Sequence, residues 1–388
     1  VLSRRAFLGV SAGLSFAAVT AHALPATAAP ATFSLALVNQ SGSGSVYAYV
    51  TGFAPDGRLV LLNSAGQPYY PSSPSSTLTP LPVDCAIPVD GRRVTVPRMY
   101  GARVYFVTDA KLDFFLNPGP ALVHPSFLNT SDPNFNRNWS FAEFTFNDAQ
   151  LFANISYVDF VGLPLSLSLQ TTSSGTQSVS GLPSGSADAL ASALTAQGGA
   201  WPQLIQKGSD GRVLRVMAAH HKADQFAGYL DGYIDQVWQK YAGTTLTVDP
   251  QNGTGPFTGR VSNGVLTFNN GETFAKPTTA DVWSCDSGPF AIAAGASDAR
   301  KAIIPRLAAA LNRTTLLANA NQPTGENPAN FYQNAQTNHY ARVVHSKLPD
   351  NRGYAFPYDD VTPGPDFSGS VFAGDPATLT VTVHATHA

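Results

Sequence analysis

Trp139-Ser140-Phe141-Ala142-Glu143-Phe144-Thr145-Phe146-Asn147 and, after Asp148-Ala149-Gln150-Leu151, Phe152-Ala153-Asn154-Ile155-Ser156-Tyr157-Val158-Asp159-Phe160-Val161-Gly162 decide how this chain folds. Both runs are aromatic and β-branched, the composition of half-buried strands. Alternate residues of a strand share a face, so Ala142, Phe144 and Phe146 point into a core while Glu143, Thr145 and Asn147 point the other way. Each run carries one acid. An ionised side chain in such a run must face water or a site, because burying an unpaired charge is costly. Only 12% of the residues are charged, so acids inside strands are not casual solubilising charge.

A plain hairpin centred near Ala149 sets residue 155 opposite Glu143. Asp159 then lies four residues further on, roughly 13 Å of strand rise at about 3.3 Å per residue. Paired carboxylates are the minimal equipment for hydrolysing a glycosidic bond; inverting enzymes hold them about 6.5–9.5 Å apart and retaining ones about 5–5.5 Å. Strand bending or a β-bulge can close the larger gap but hardly the smaller, which favours inversion. Spacing alone leaves a second reading open, in which the acids are solvated strand ends or salt-bridge partners.

Outward from these runs, residues 32–170 read as strands and turns. Phe33–Val38 and Ser45–Val50 flank a Gly-Ser loop, a hairpin signal. Leu59–Asn63, Arg92–Pro97, Ala102–Thr108, Phe141–Asn147 and Leu151–Leu169 complete a mostly antiparallel set, a sandwich or barrel. After Ser173-Ser174-Gly175 the period changes. Helices are predicted over 186–197 (capped by Ser186), 223–242, 298–318 and 329–344, with short strands at 246–248 and 265–268. The aromatic stripe of the second helix, Phe226 to Tyr241, reads as core. Strand character returns over 353–361 and 379–383. The organisation is a β domain from both chain ends, 31–174 and 346–388, and a mixed α/β domain over 175–345, with a groove between them as the ligand site.

Net charge is −2, and no basic stripe suits a nucleic acid. Aromatic faces with many neutral hydrogen-bonding groups suit an uncharged polyhydroxyl ligand. Cys85 and Cys285 have no metal-ligand spacing; one disulfide or two separate thiols both fit. His339 and His345 lie six apart on a helix, not at the i, i+4 spacing of a zinc pair, and read as structural. His220-His221 reads as surface or capping. No Gly-x-Ser-x-Gly elbow or phosphate-binding glycine loop is present.

The two opening runs resemble glycoside hydrolase family 64, the laminaripentaose-producing β-1,3-glucanases. Phe114-Phe-Leu-Asn-Pro-Gly119, Asn338-His-Tyr-Ala-Arg-Val-Val-His345 and Gly353-Tyr-Ala-Phe-Pro-Tyr-Asp-Asp360 extend the likeness from about residue 32 to the end. The last run also resembles the acidic-cleft segment of thaumatin-like proteins. The resemblance implies a thaumatin-like β-barrel or sandwich domain, a mixed α/β domain and a wide groove between them. It places the general acid on Glu143 and the general base on Asp159, with sugar contacts at Thr145, Asn147, Phe152 and Ser156. Phe152 and Ser156 depart from the tryptophan and threonine of the family; a phenyl ring still stacks on a pyranose but lacks the indole N–H. Asp359 and Asp360 fit either an electronegative groove wall or an ordinary turn.

In this mechanism Glu143 is protonated when substrate binds, its pKa raised by aromatic surroundings, and Asp159 stays ionised to activate water. No metal or cofactor is expected. The expectation is an endo-acting β-1,3-glucan hydrolase with inversion, acting as a monomer and releasing mainly laminaripentaose. The competing expectation is a non-catalytic, thaumatin-like β-1,3-glucan-binding protein directed at fungal walls; a peptidase or lipase lacks its nucleophile. Ser3-Arg4-Arg5-Ala6-Phe7-Leu8, a short apolar stretch and two small-residue cleavage sites read as a twin-arginine signal peptide over 1–30, and hence as secretion without a membrane anchor. Removing Arg4 and Arg5 takes the net charge from −2 to −2 − 2 = −4.

Overall fold

Alternating side chains build twelve strands into two facing sheets: Thr32–Gln40 (β1), Val46–Phe53 (β2), Leu59–Leu62 (β3), Pro68–Tyr69 (β4), Arg93–Pro97 (β5), Met99–Thr108 (β6), Trp139–Phe146 (β7), Leu151–Ile155 (β8), Leu165–Thr171 (β9), Thr176–Val179 (β10), Ser370–Ala373 (β11) and Pro376–His384 (β12). The computed structural model describes residues 28–387 apart from 174, 365 and 366. The signal peptide expected over 1–30 lies, but for its last three residues, outside them. Among the described residues no helix is long and apolar enough to cross a membrane.

One sheet runs β10-β9-β12-β1-β5; the other runs β11-β8-β7-β6-β2-β3-β4, with Ile87–Pro88 also paired to β2. Leu35, Leu37, Leu167 and Val381 from the first meet Val50, Val104, Phe144 and Ala153 from the second in a continuous core. Phe33 packs edge-on against Phe144 and Phe146, at 5.7 and 5.1 Å between ring centroids. Edge-to-face contact is the arrangement the aromatic quadrupole favours. Residues 32–40 and 376–384 meet in this sheet, because β12 lies between β9 and β1.

Three expectations about strands fail. The strands flanking the Gly-Ser loop form no hairpin, for β1 and β2 belong to different sheets. The loop reverses the chain, with Asn39 bonded to Ser43 O and Ser41 N at 2.9 Å each, but carries it from one layer to the other. β1 instead pairs with β12, in parallel, through a seven-residue register. The hairpin β7–β8 sets Asn154, not residue 155, opposite Glu143. Asn147 Oδ1 accepts from Ala149 N and Gln150 N at 2.9 Å, closing a four-residue turn one position earlier than expected. And 353–361 is mostly turn, touching the sheets through one bridge between Tyr354 and Ser156.

The helices are Ser186–Gln197 (α1), Asp231–Gly243 (α2), Thr279–Ser284 (α3), Asp298–Asn312 (α4) and His339–Lys347 (α5). Ser186 is not a cap: Gly185 holds that place and the Ser186 hydroxyl donates to Pro183 O. The helix expected over 223–242 is broken. Gly228 at φ 74° separates a 3-10 segment, Ala219–Phe226, from α2. Its aromatic stripe is nonetheless core, with Tyr233, Ile234, Val237, Trp238 and Tyr241 buried. α4 stops at Asn312, and α5 begins only at His339, where Asn338 Oδ1 caps Ala341 N at 3.0 Å. A five-stranded sheet (Leu246–Val248, Phe257–Ser262, Val265–Phe268, Thr273–Ala275, Asn321–Gln322) backs α2. Cys85 and Cys285 are two separate buried thiols.

Candidate active site

The outer face of the second sheet is graded from dry to open. Trp139, Phe141, Tyr105 and Tyr49 lie under Leu112, Phe114 and Phe127 in a second apolar cluster. Two residues along each strand the lining turns polar: Thr51, Arg103, Glu143 and Asn154 stand opposite one another on β2, β6, β7 and β8. Beyond that row come Thr145 and Phe152, paired across β7 and β8, both half-buried.

Glu143 keeps 27% of its side chain exposed. Arg103 Nε and Nη2 both donate to its Oε1, at 3.1 and 3.0 Å; Oε2 takes no hydrogen bond from the described residues. The guanidinium lies 4.2 Å over the Phe141 ring and reaches Tyr105 Oη at 3.3 Å, which in turn meets His124 Nδ1 at 2.9 Å. The setting of Glu143 is therefore cationic on one oxygen, where an aromatic surround was expected.

Asp159 arrives through a turn. Ser156 Oγ accepts from Val158 N at 3.3 Å, and the chain leaves the sheet. Phe160–Val161 then pair with Val213–Met217, so Asp159 O accepts from Ala218 N at 2.9 Å. One 3-10 turn later, His221 Nε2 stands 3.0 Å from Asp159 Oδ1. Oδ2, like Oε2 of Glu143, takes no hydrogen bond from the described residues, and the side chain is 31% exposed. Burial pushes the Asp159 carboxyl up, but the His221 hydrogen bond and the charges of His221, Arg103 and His220 outweigh it and hold it down to about 2. Opposite charge and hydrogen bonding to the anion both favour ionisation.

His221 is thus no surface or capping residue. It is held edge-on by Phe127 at 4.9 Å and against His220 at 3.8 Å between centroids. Burial, then the neighbouring His221, lowers His220 to about 3, against the pull of Asp159. Asp159, His220 and His221 each offer one ligand atom within 4.8 Å of the others, a grouping that could hold a divalent ion. The sequence reading missed His221 because nothing in His220-His221 marks a partner sixty-two positions away; the pairing of 160–161 with 216–217 brings it there.

Of the other expected contacts, Thr145 and Phe152 share the face of Glu143. Ser156 lies where the Asp159 turn begins and spends its hydroxyl on it. Asn147 has its carbonyl committed to the β7–β8 turn. Asp359 is enclosed, 1% exposed, and bonded to Arg313, His345 and Ala355 N, so it offers no groove wall. Asp360 is half-buried and its carboxyl is raised, by burial first and then by Asp359, against the pull of Arg313 and Arg306. His345 serves Asp359 and His339 bonds Ala335 O at 3.2 Å, both structural as expected. Two surface clefts of about 420 and 440 Å³, one beside Gly66 and Arg93 and one beside Trp201 and Tyr229, contain none of the residues around Glu143.

The β-1,3-glucanase family, glycoside hydrolase family 64, matches residues 31–383. This chain belongs to glycoside hydrolase family 64. Glucan endo-1,3-beta-glucosidases of Arthrobacter sp. (strain YCWD3) and Cellulosimicrobium cellulans are each 34% identical to it over 376 residues, covering 92% of this chain and 67% of theirs. Among solved structures of the family, a laminaripentaose-producing beta-1,3-glucanase in complex with laminaritetraose is 34% identical. It superposes with a TM-score of 0.81 over 92% of this chain and 99% of its own. A family 64 domain from Clostridium beijerinckii, 24% identical, shares the fold at a TM-score of 0.74 over 91% of this chain and 98% of its own. The mixed β and α/β architecture is that of the thaumatin-like family 64 fold.

Proposed function

We propose that the chain is an endo-acting β-1,3-glucan hydrolase that works by inversion, with Glu143 as general acid and Asp159 as general base, and releases mainly laminaripentaose. The observation that carries this reading is the division of labour within each carboxylate. Glu143 gives Oε1 to Arg103 and Asp159 gives Oδ1 to His221, and the second oxygen of each stays open on a half-exposed face.

The chemistry follows from that division. Two N–H donors aimed at Oε1 leave no lone pair well placed for a proton there, so the transferable proton of Glu143 resides on Oε2 and passes to the glycosidic oxygen. Asp159, its anion supported by His221 and Arg103, takes a proton from water through Oδ2 as that water attacks the anomeric carbon from the opposite side. The C–O bond breaks, the new C–O bond forms at the other face, and the anomer inverts. Arg103 lies within electrostatic reach of both acids and favours the ionised form of Asp159. Thr145 and Phe152 hold the sugar beside Glu143, by hydrogen bond and by ring stacking. The groove is assigned between a β unit (31–174 with 346–388) and a mixed unit (175–345). The twin-arginine sequence supports export from the cell, with β-1,3-glucan as the partner.

Proton NMR of laminarin digestion tests this. α-Anomeric oligosaccharides of mainly five units are expected at early times; β-anomeric first products, or no reducing sugar, would overturn it.

A further inference from the structure

Phe53 and Tyr100 are two of the most exposed large apolar side chains among the described residues, at 42% and 37%. They are also cross-strand partners, on β2 and β6. Alternation places them on the functional face. On β2, Val46, Ala48 and Val50 enter the sandwich core, so Tyr49, Thr51 and Phe53 face outward. On β6, Met99 and Ala102 enter the core, and the register shift between Thr51 and Phe53 turns Tyr100 outward beside Phe53.

Followed across the sheet, that pair continues a line. β7 contributes Thr145 in the next position, β8 contributes Phe152 opposite it, and β11 contributes Phe372 opposite Phe152. Phe53, Tyr100, Thr145, Phe152 and Phe372 thus form one row perpendicular to the strands. It lies beside the row Thr51, Arg103, Glu143 and Asn154, and spans four inter-strand steps, roughly 19 Å at about 4.8 Å each. No member is charged. The charged residues nearest in sequence to its exposed end are already paired, Arg58 with Asp56 and Arg98 with Asp148. An uncharged, mostly aromatic row continuous with the proposed reaction site fits the flat faces of an uncharged sugar chain and offers an anionic one no counter-charge.

We propose that Phe53 and Tyr100 form a distal stacking platform for the β-1,3-glucan chain. The chain lies across the strands, and the platform grips sugar residues remote from the bond being cut. The assignment rests on the hydrolase reading of Glu143 and Asp159. It makes the enzyme favour long chains: binding contributed at the far end is available only to a substrate that reaches it.

The test is the double variant Phe53→Ala/Tyr100→Ala against wild type, with laminarin and with laminaritriose-length chains too short to span the row. KM for laminarin is expected to rise about tenfold, the loss of two half-exposed aromatic contacts. kcat, melting temperature and the KM for the short chain are expected to stay unchanged, and Phe53→Trp is expected to retain laminarin affinity. No change in laminarin KM, or equal losses on long and short chains, overturns the platform. Binding of laminarin by Glu143→Gln with and without the two alanines reads the platform without turnover. A drop in affinity there supports it even if the assigned chemistry fails, and unchanged affinity overturns it even if the chemistry holds.

Discussion

Two aspartates in this molecule each stand against a histidine and an arginine, and they are put to opposite uses. Asp359 spends everything it has: Oδ1 accepts from Arg313 at 3.0 Å, Oδ2 meets His345 Nε2 at 2.7 Å and Ala355 N at 2.9 Å, and only 1% of it is exposed. Arg313 donates to the carbonyls of Asp359 and Val361 as well and lies 4.6 Å over the Phe331 ring. Asp159 keeps one oxygen uncommitted and nearly a third of its surface open, with its arginine, Arg103, hydrogen-bonded to a different acid. The difference teaches that burial and saturation, not the residue types, separate a pin from a tool. A saturated carboxylate fixes the turn 355–361 against the helical part. A half-satisfied one can still accept a proton.

The largest expected effect breaks the comparison at the chemistry. Asp159→Asn and Glu143→Gln are each expected to lower kcat on laminarin by about 10³–10⁴-fold, at the upper end of general acid–base contributions, while pull-down on insoluble glucan persists. Asp359→Asn is expected to leave kcat of the folded enzyme unchanged; full hydrolysis by Asp159→Asn would remove that residue from its role. Stability is expected to reverse the order. Asp359→Asn leaves Arg313 with an uncompensated buried charge and is expected to cost about 3–5 kcal/mol in denaturant unfolding; Asp159→Asn, half exposed, is expected to cost far less.

His221 against His345 sharpens the contrast further. Replacing His221 by Gln removes the main support of the Asp159 anion while its burial remains, so the Asp159 pKa rises and the acid limb of the kcat/KM profile moves to higher pH. His345→Gln is expected to leave that limb in place. The smallest effect is in acid. Both aspartates are held below the unfolded value of about 3.9. Their contribution to stability is therefore complete above that pH and lost as pH falls through the folded values. Melting temperatures of wild type and Asp359→Asn are expected to converge as pH is lowered below the unfolded value of about 3.9, and a constant gap would contradict this.

The β-sandwich was legible because its determinants are local. Alternation in 139–147 assigned Ala142, Phe144 and Phe146 to the core and Glu143 and Thr145 to the other face. What was hidden was non-local. Nothing near Phe33 says that its strand will choose 376–384 over 46–53, since the Gly-Ser loop fixes a reversal but not the layer in which the chain resumes. The β7–β8 register turned on whether Asn147 would bond its own turn. Glu143 and Asp159 were readable as acids of the two aromatic runs, but Arg103 and His221, which divide the work of their oxygens, come from a neighbouring strand and a 3-10 turn that no spacing announces. The broken helix at Gly228 was masked by a stripe that satisfies helical periodicity and aromatic packing alike.

The middle position of β12 in the five-stranded sheet also sets the order of assembly. It is the last strand of the sandwich to be synthesised, yet β1 and β9 have no other neighbour on the sides it fills. Until it arrives, a nascent chain presents two adhesive edges, the kind of template that recruits foreign strands. Maturation therefore hinges on a late zip between residues 376–384 and two strands made far earlier, so a ribosome stalled before residue 376 would release a sticky intermediate in place of an enzyme.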